Sequence, residues 1–243
     1  MIRSEFNGSV DWFRQEYPSN ESEAFLRVEG MRVFDMAKCN LNLTKAVDPI
    51  AIGTLQWDPM RQPIYDQSGR YCQNRDQLQV QWVETGNVSD GLMVWDYPLK
   101  DPTQIYDKRF MATADVALGI EGGDHSHCVV LDRHLKRVVA VWHRRVDEVE
   151  WGEMLSMLAI WYRMKWVCVE VNPGGGGRAT VRKMLELVPN QLWMGARETP
   201  HITQMISKNH EYGFYTSDSS KEWIVQRNIK AIVTGKQIGR AHV

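Results

Sequence analysis

The sequence predicts an α/β protein with a mixed sheet, opening as an antiparallel meander and continuing in parallel strands, flanked by helices and preceded by a β-rich connecting segment. Three observations predict it. Residues 109–144 hold three short strand-like runs separated by tight-turn signals, residues 146–164 carry a long helical pattern, and a short apolar run follows at 166–171.

The first run, RFMATADVAL at 109–118, reads as a strand, and GGDH at 122–125 supplies the turn after it. SHCVVLD at 126–132 is the second strand, RHLK the next turn, and RVVAVWHR at 137–144 the third strand. In VDEVEWGEMLSMLAIWYRM, acidic residues occupy the first turn, where the positive end of a helix dipole favours them. The apolar residues Val149, Met154, Leu158 and Trp161 then recur at helical spacing, which predicts a helix of about four to five turns. WVCVEV at 166–171 is apolar almost throughout, the pattern of a strand buried on both faces. Gly174 to Gly177 end that strand, and RATVRKMLELV at 178–188 reads as the next helix. QLWMGA at 191–196 reads as a strand, and SSKEWIVQRNIKAIV at 219–233 as a helix with serines placed to cap it. Three antiparallel strands, a crossover helix, a parallel strand and alternating helices are the element order of the RNase H-like fold. Residues 37–107 are rich in Pro, Asp and Gln, with short strands in LQVQWVET and GLMVWDY, and read as a β-rich connecting segment.

With 243 residues, 43% of them hydrophobic, the chain can build one core with an appendage. Cys39, Cys72, Cys128 and Cys168 form no CxxC pair, which suggests neither a zinc site nor a disulfide framework and fits a reducing cytoplasm. No run approaches the roughly 20 apolar residues of a membrane span, and MIRSEFNGSV lacks the apolar core of a signal peptide, so a soluble, non-exported protein is expected. The net charge of −1 conceals an asymmetry. Residues 1–107 carry 10 Lys and Arg against 16 Asp and Glu, whereas residues 108–236 carry 18 against 14. A basic half fits phosphate contact, although such an excess also occurs on ordinary solvated surfaces.

The chemistry is expected in that basic half. Asp115 lies inside the first strand and Glu170 near the end of the apolar one, strands expected to be neighbours in this sheet so that the two carboxylates converge, and a carboxylate within an apolar strand is costly unless it is paired or binds a metal. Hydrolysis of a phosphodiester needs an activated water, charge neutralisation and a stabilised leaving oxygen, which two divalent ions about 4 Å apart supply. Mg2+ or Mn2+ prefers oxygen ligands, so Asp115 and Glu170 are the expected catalytic and metal-binding residues. Asp124, in the GGD turn, is a candidate auxiliary metal ligand and equally a turn-forming aspartate. His125 and His127 alternate on one strand face without a third nearby ligand, which argues against zinc. No GxxxxGK[ST] phosphate loop occurs, and Gly174 to Gly177 read as a turn that lets a DNA backbone approach. Arg178, Arg182 and Lys183 fall on one helix just after that turn and are candidate DNA contacts, ordinary solvated helix charges being the alternative. The ten tryptophans, Trp161 and Trp166 among them, read as packing residues.

Four segments carry a family resemblance. VDWFRQEYPSNESEAFLRVEGMRVFD at 10–35, with its QEYP and EAF elements, resembles the closing stretch of the ATPase domain of tailed-phage terminase large subunits. ADVALGIEGGDHSHCVVLDR at 114–133 resembles the first nuclease motif of those proteins, VCVEVNPGGGG at 167–177 the second, and YGFYTSDSSKEWIV at 212–225 the approach to the third. The resemblance implies residues 1–36 as the end of the ATPase domain, 37–107 as the β-rich linker segment and 108–236 as an RNase H-like nuclease domain. It implies an endonuclease that cuts concatemeric viral DNA during packaging in the host cytoplasm, with double-stranded DNA, the portal protein and the terminase small subunit as partners. It places the ATP-binding motifs outside this chain. Lys221 matches a lysine of the third segment and is a further candidate DNA contact, whereas Asp218 in TSDSSK precedes the third metal-binding aspartate of the family and is not a candidate for it. Residues 238–243, IGRAHV, are what a common sequencing adapter encodes, so residues 237–243 are expected to be foreign and the nuclease domain incomplete. Without the third acid, the chain as written is expected to be nearly inactive. The alternatives are another RNase H-like nuclease, a resolvase or transposase that would share Asp115 and Glu170, or a non-catalytic module that contacts DNA or the portal. The QEYP segment argues against the first.

Overall fold

The structure is a computed structural model that describes residues 44, 46–68, 75–87, 91–98, 109–172, 177–195 and 211–216. The expected helix at 219–233, Lys221, Asp218 and the segments 1–36 and 237–243 lie outside the described residues. The described strands are β1 (Ala51–Trp57), β2 (Val80–Glu84), β3 (Leu92–Val94), β4 (Phe110–Asp115), β5 (Ser126–Asp132), β6 (Arg137–Arg144), β7 (Trp166–Val169), β8 (Met194–Gly195) and β9 (Glu211–Tyr212). The helices are α1 (Glu148–Trp161) and α2 (Gly177–Leu187).

The fold is α/β. One mixed sheet runs in the order β2-β1-β3-β6-β5-β4-β7, antiparallel throughout except that β7 pairs parallel to β4. The anticipated meander is β4 to β6, and β5 and β6 fall where their alternating patterns and turn signals put them. The segment read as a connector is β-rich, but its three strands continue the same sheet from β6 outward. β1 was not anticipated: AIGTLQW sits between Asp- and Pro-rich stretches, yet it turns Ala51, Gly53 and Leu55 inward.

Cross-strand register explains the core. Leu92, Trp142, Cys128, Ala114 and Val169 form one row across β3, β6, β5, β4 and β7, and Val94, Ala140, Val130, Ala112 and Val167 form the next. All ten are buried on one sheet face. Each large aliphatic side chain so buried contributes about 1.5–3 kcal/mol relative to exposure. Both helices pack together, α1 also against β1, β2 and β7, and α2 against β7. Asp147 caps α1 by accepting from the Val149 and Glu150 amides at 2.8 Å.

α1 is buried on more than one side because it lies between the sheet and α2. Trp151, Met154, Leu155, Met157 and Leu158 are all buried, and a side chain on Gly152 would strike the Thr180 carbonyl of α2. Of the positions expected to face the core, Met154 and Leu158 do so and Trp161 is half-buried, but Val149 is 50% exposed because it lies in the first turn, beside Ala179 and Arg182 of α2. β7 alternates instead of being buried on both faces: Val167 and Val169 enter the core, whereas Trp166 and Cys168 point the other way and are half-buried. Trp142 and Trp151 are fully buried, and Trp161 stacks on Trp82 at 5.2 Å. α1 and its C-cap residue Tyr162 also hold the extension of the sheet, Trp57 Nε1 donating to Glu153 at 2.6 Å and the Tyr162 hydroxyl donating to the Asp96 carbonyl at 2.7 Å. No helix among the described residues is long and apolar enough to cross a membrane.

Candidate active site

Asp115 is the last residue of β4 and Glu170 follows β7 directly. The parallel register pairs Ala114 with Val169, and the Glu170 amide donates to the Ala114 carbonyl at 2.9 Å. One step further along both strands, Asp115 and Glu170 are therefore cross-strand neighbours on the face opposite the core, where side chains of alternate residues project. Asp115 is exposed and Glu170 half-buried. Among the described residues neither pairs with a Lys or Arg. Two neighbouring carboxylates repel each other unless a cation lies between them or they share a proton.

The chain holds this pair in place with groups that sequence reasoning did not single out. Asn172 donates from Nδ2 to Glu170 Oε1 at 2.5 Å, and its own carbonyl accepts from the Thr216 amide at 2.8 Å. Phe214 bridges the free edge of β7 beside Glu170, with the Val171 amide donating to the Phe214 carbonyl at 2.8 Å. On the other strand, Ser126 is buried and its hydroxyl accepts from the Ala117 amide at 2.9 Å, which fixes the chain just after Asp115. The only local signals for these roles were a polar residue two places after Glu170 and a serine opening an apolar strand.

Gly177 closes the arrangement. A side chain there would collide with the Glu170 carbonyl, so a glycine lets α2 start directly against the end of β7. Close approach of protein backbone is the constraint at this last residue of the glycine run. Residues 173–176 lie outside the described residues. Gly177→Ala is expected to destabilise the protein by about 1–3 kcal/mol, the range for overpacking a tight site. A chemical denaturation curve checks this, and an unchanged midpoint would contradict the packing role.

The other candidate residues separate into distinct environments. Arg178 and Arg182 are exposed on α2. Lys183 turns away from solvent: its ammonium donates to the Tyr65 hydroxyl at 2.5 Å, lies 4.4 Å from that ring's centre and is 3.5 Å from Glu186. Burial pulls the Lys183 pKa down, but Tyr65 and the carboxylates of Glu153 and Glu186 more than offset it and hold it above the ordinary lysine value. Lys183 is thus engaged by Tyr65 and Glu186, whereas Arg178 and Arg182 face solvent. Asp124 is exposed in the turn before β5. Among the described residues no three His, Cys, Asp or Glu side chains are arranged to hold a metal ion.

The surroundings of the carboxylate pair decide which metal chemistry it can support. Burial, helped by the charge of Glu170, pushes the Cys168 thiol up to about 12, so the free thiol stays protonated at neutral pH. Burial and the neighbouring His143 lower the His127 pKa, with Asp115 acting in the opposite direction. The donors of the pair itself are hard carboxylate oxygens, which fit one Mg2+ or Mn2+ ion that keeps waters in its remaining positions. A second ion needs a further acid beyond these two. The chain matches no protein-family model and no curated protein.

Proposed function

We propose that this chain is the nuclease part of a tailed-phage terminase large subunit, an RNase H-like metal-dependent endonuclease that cuts concatemeric viral DNA during packaging. The observation that carries the reading is the placement of Asp115 and Glu170 side by side on one face at the ends of parallel strands β4 and β7. The order of β4, β5, β6, α1 and β7 supports an RNase H-like core, to which β3, β1 and β2 add an antiparallel wing. A bound divalent ion would activate water and neutralise charge on the phosphate. Asp115 and Glu170 would hold it, Asn172 would orient Glu170, and the exposed Arg178 and Arg182 would contact DNA phosphates. The portal protein and terminase small subunit would be its partners at the procapsid, in the host cytoplasm.

Only two acids meet at this place among the described residues, which favours the second reading, a DNA-contacting module without catalysis. Plasmid nicking with Mg2+ or Mn2+ separates the two. The chain alone is expected to nick only at trace level. Fused to the C-terminal segment of a terminase nuclease, which supplies a third acid, it is expected to nick robustly, with EDTA stopping the reaction. A folded fusion that binds DNA but never cuts it would leave the non-catalytic reading in place.

A further inference from the structure

Asp115 and Glu170 belong to a longer line of side chains. Asp115 stands directly across from His127 on β5, and His127 across from His143 on β6. The His125 ring lies 5.9 Å from that of His143. Glu170, Asp115, His127 and His143 therefore share one face along a line crossing β7, β4, β5 and β6, since directly opposed residues project to the same side. With neighbouring strands about 4.8 Å apart, the line is about 14 Å long. One end is two carboxylates and the other two imidazoles.

Duplex DNA presents a phosphate about every 3.4 Å of axis along each strand, so a line of this length meets more than one phosphate. The carboxylate end accepts a phosphate only through a cation. The imidazole end needs none, because a neutral histidine still donates one ring N–H. His127 is exposed and His143 half-buried on this face, and no third ligand joins them in an arrangement that would hold a metal among the described residues.

Building on the nuclease reading above, we propose that His127 and His143 form a phosphate subsite: they donate hydrogen bonds to the phosphate next to the one at Asp115 and Glu170. The line then sets the path of the DNA strand across the sheet, from β7 towards β6.

The test uses the full chain with EDTA present, so that metal-dependent events are excluded, and a fluorescent duplex oligonucleotide whose binding is followed by anisotropy. His127→Val and His143→Val, which suit a strand, are each expected to weaken binding about fivefold, the effect of losing one hydrogen bond. His127→Gln, which keeps an N–H donor, is expected to recover most of the loss. In the unmutated chain, the ring NMR signals of His127 and His143 are expected to move on adding the oligonucleotide, while those of His134, on the β5–β6 turn, stay in place. Unchanged affinity in the valine variants, failure of glutamine to rescue, or unmoved ring signals would overturn the subsite and leave the nuclease reading standing. Absence of any DNA binding by the unmutated chain at low salt would overturn both.

Discussion

Asp115→Asn is expected to abolish plasmid cleavage by the fusion that carries a third acid, lowering the rate on the order of a thousandfold. Asparagine keeps the size and one oxygen of aspartate but loses the charge that would hold a divalent ion against its hydration shell. The ion's stabilisation of the transition state is worth several kcal/mol, and each 1.36 kcal/mol is about tenfold in rate. DNA binding is expected to survive, because the phosphate contacts proposed for the exposed Arg178 and Arg182 are separate from the carboxylates. Retained cleavage in Asp115→Asn would contradict the assignment of Asp115 as a metal ligand. Lost DNA binding together with lost cleavage would show that Asp115 supports the structure instead.

Asp132→Ala is expected to produce the largest loss of stability, about 3 kcal/mol. Asp132 is fully buried at the end of β5, where Oδ2 meets Arg109 at 2.7 Å while Oδ1 accepts from the amides of His134 and Leu135 at 2.9 and 3.0 Å. Alanine removes the partner of a mostly buried guanidinium and leaves both turn amides without their acceptor, and breaking a buried pair from one side typically costs about 3–5 kcal/mol. The low end is appropriate because the Arg109 side chain is 18% exposed and can reach water. The thermal midpoint should fall by roughly 10 °C, at about 2–4 °C per kcal/mol for a domain of this size. Asp132→Asn, which keeps the acceptor for the two amides, should fall less. A midpoint for Asp132→Ala within a degree or two of the unmutated chain would show that the turn and the pair contribute little.

The parts legible in the sequence were those fixed locally. β5 and β6 announce themselves by alternation, with Ser126, Cys128, Val130 and Asp132 pointing inward, and by turn residues on either side. Asp115 was legible because an acid inside MATADVALG has no reason to be there on packing grounds. What was not legible depends on contacts far apart in the chain. That Asp115 and Glu170 come from neighbouring strands was expected from the order of elements, but the register that sets them one step beyond the pairing of Ala114 with Val169, 55 positions apart, is encoded by no local pattern. Asn172 orients Glu170 only because Thr216, 44 residues on, holds its carbonyl. Lys183 was grouped with Arg178 and Arg182 because all three lie on one helix, but Tyr65, 118 residues earlier, claims it. The line of His127 and His143 was hidden for the same reason: the sequence showed His125 and His127 as a pair on one strand, while the ring that stands across from His127 comes from β6. β1 escaped because a single inward glycine at Gly53 and polar flanks weaken its alternation.

Calorimetric titration of the chain with Mn2+ tests, without requiring catalysis, whether Asp115 and Glu170 together hold a divalent ion as proposed. The expected result is one ion bound per chain, with binding lost in Asp115→Asn and in Glu170→Gln and weakened in Asn172→Ala, while all three variants keep the far-ultraviolet circular dichroism of the unmutated protein. Equal Mn2+ binding by the unmutated chain and both carboxylate variants, or no binding by any of them, would contradict the claim.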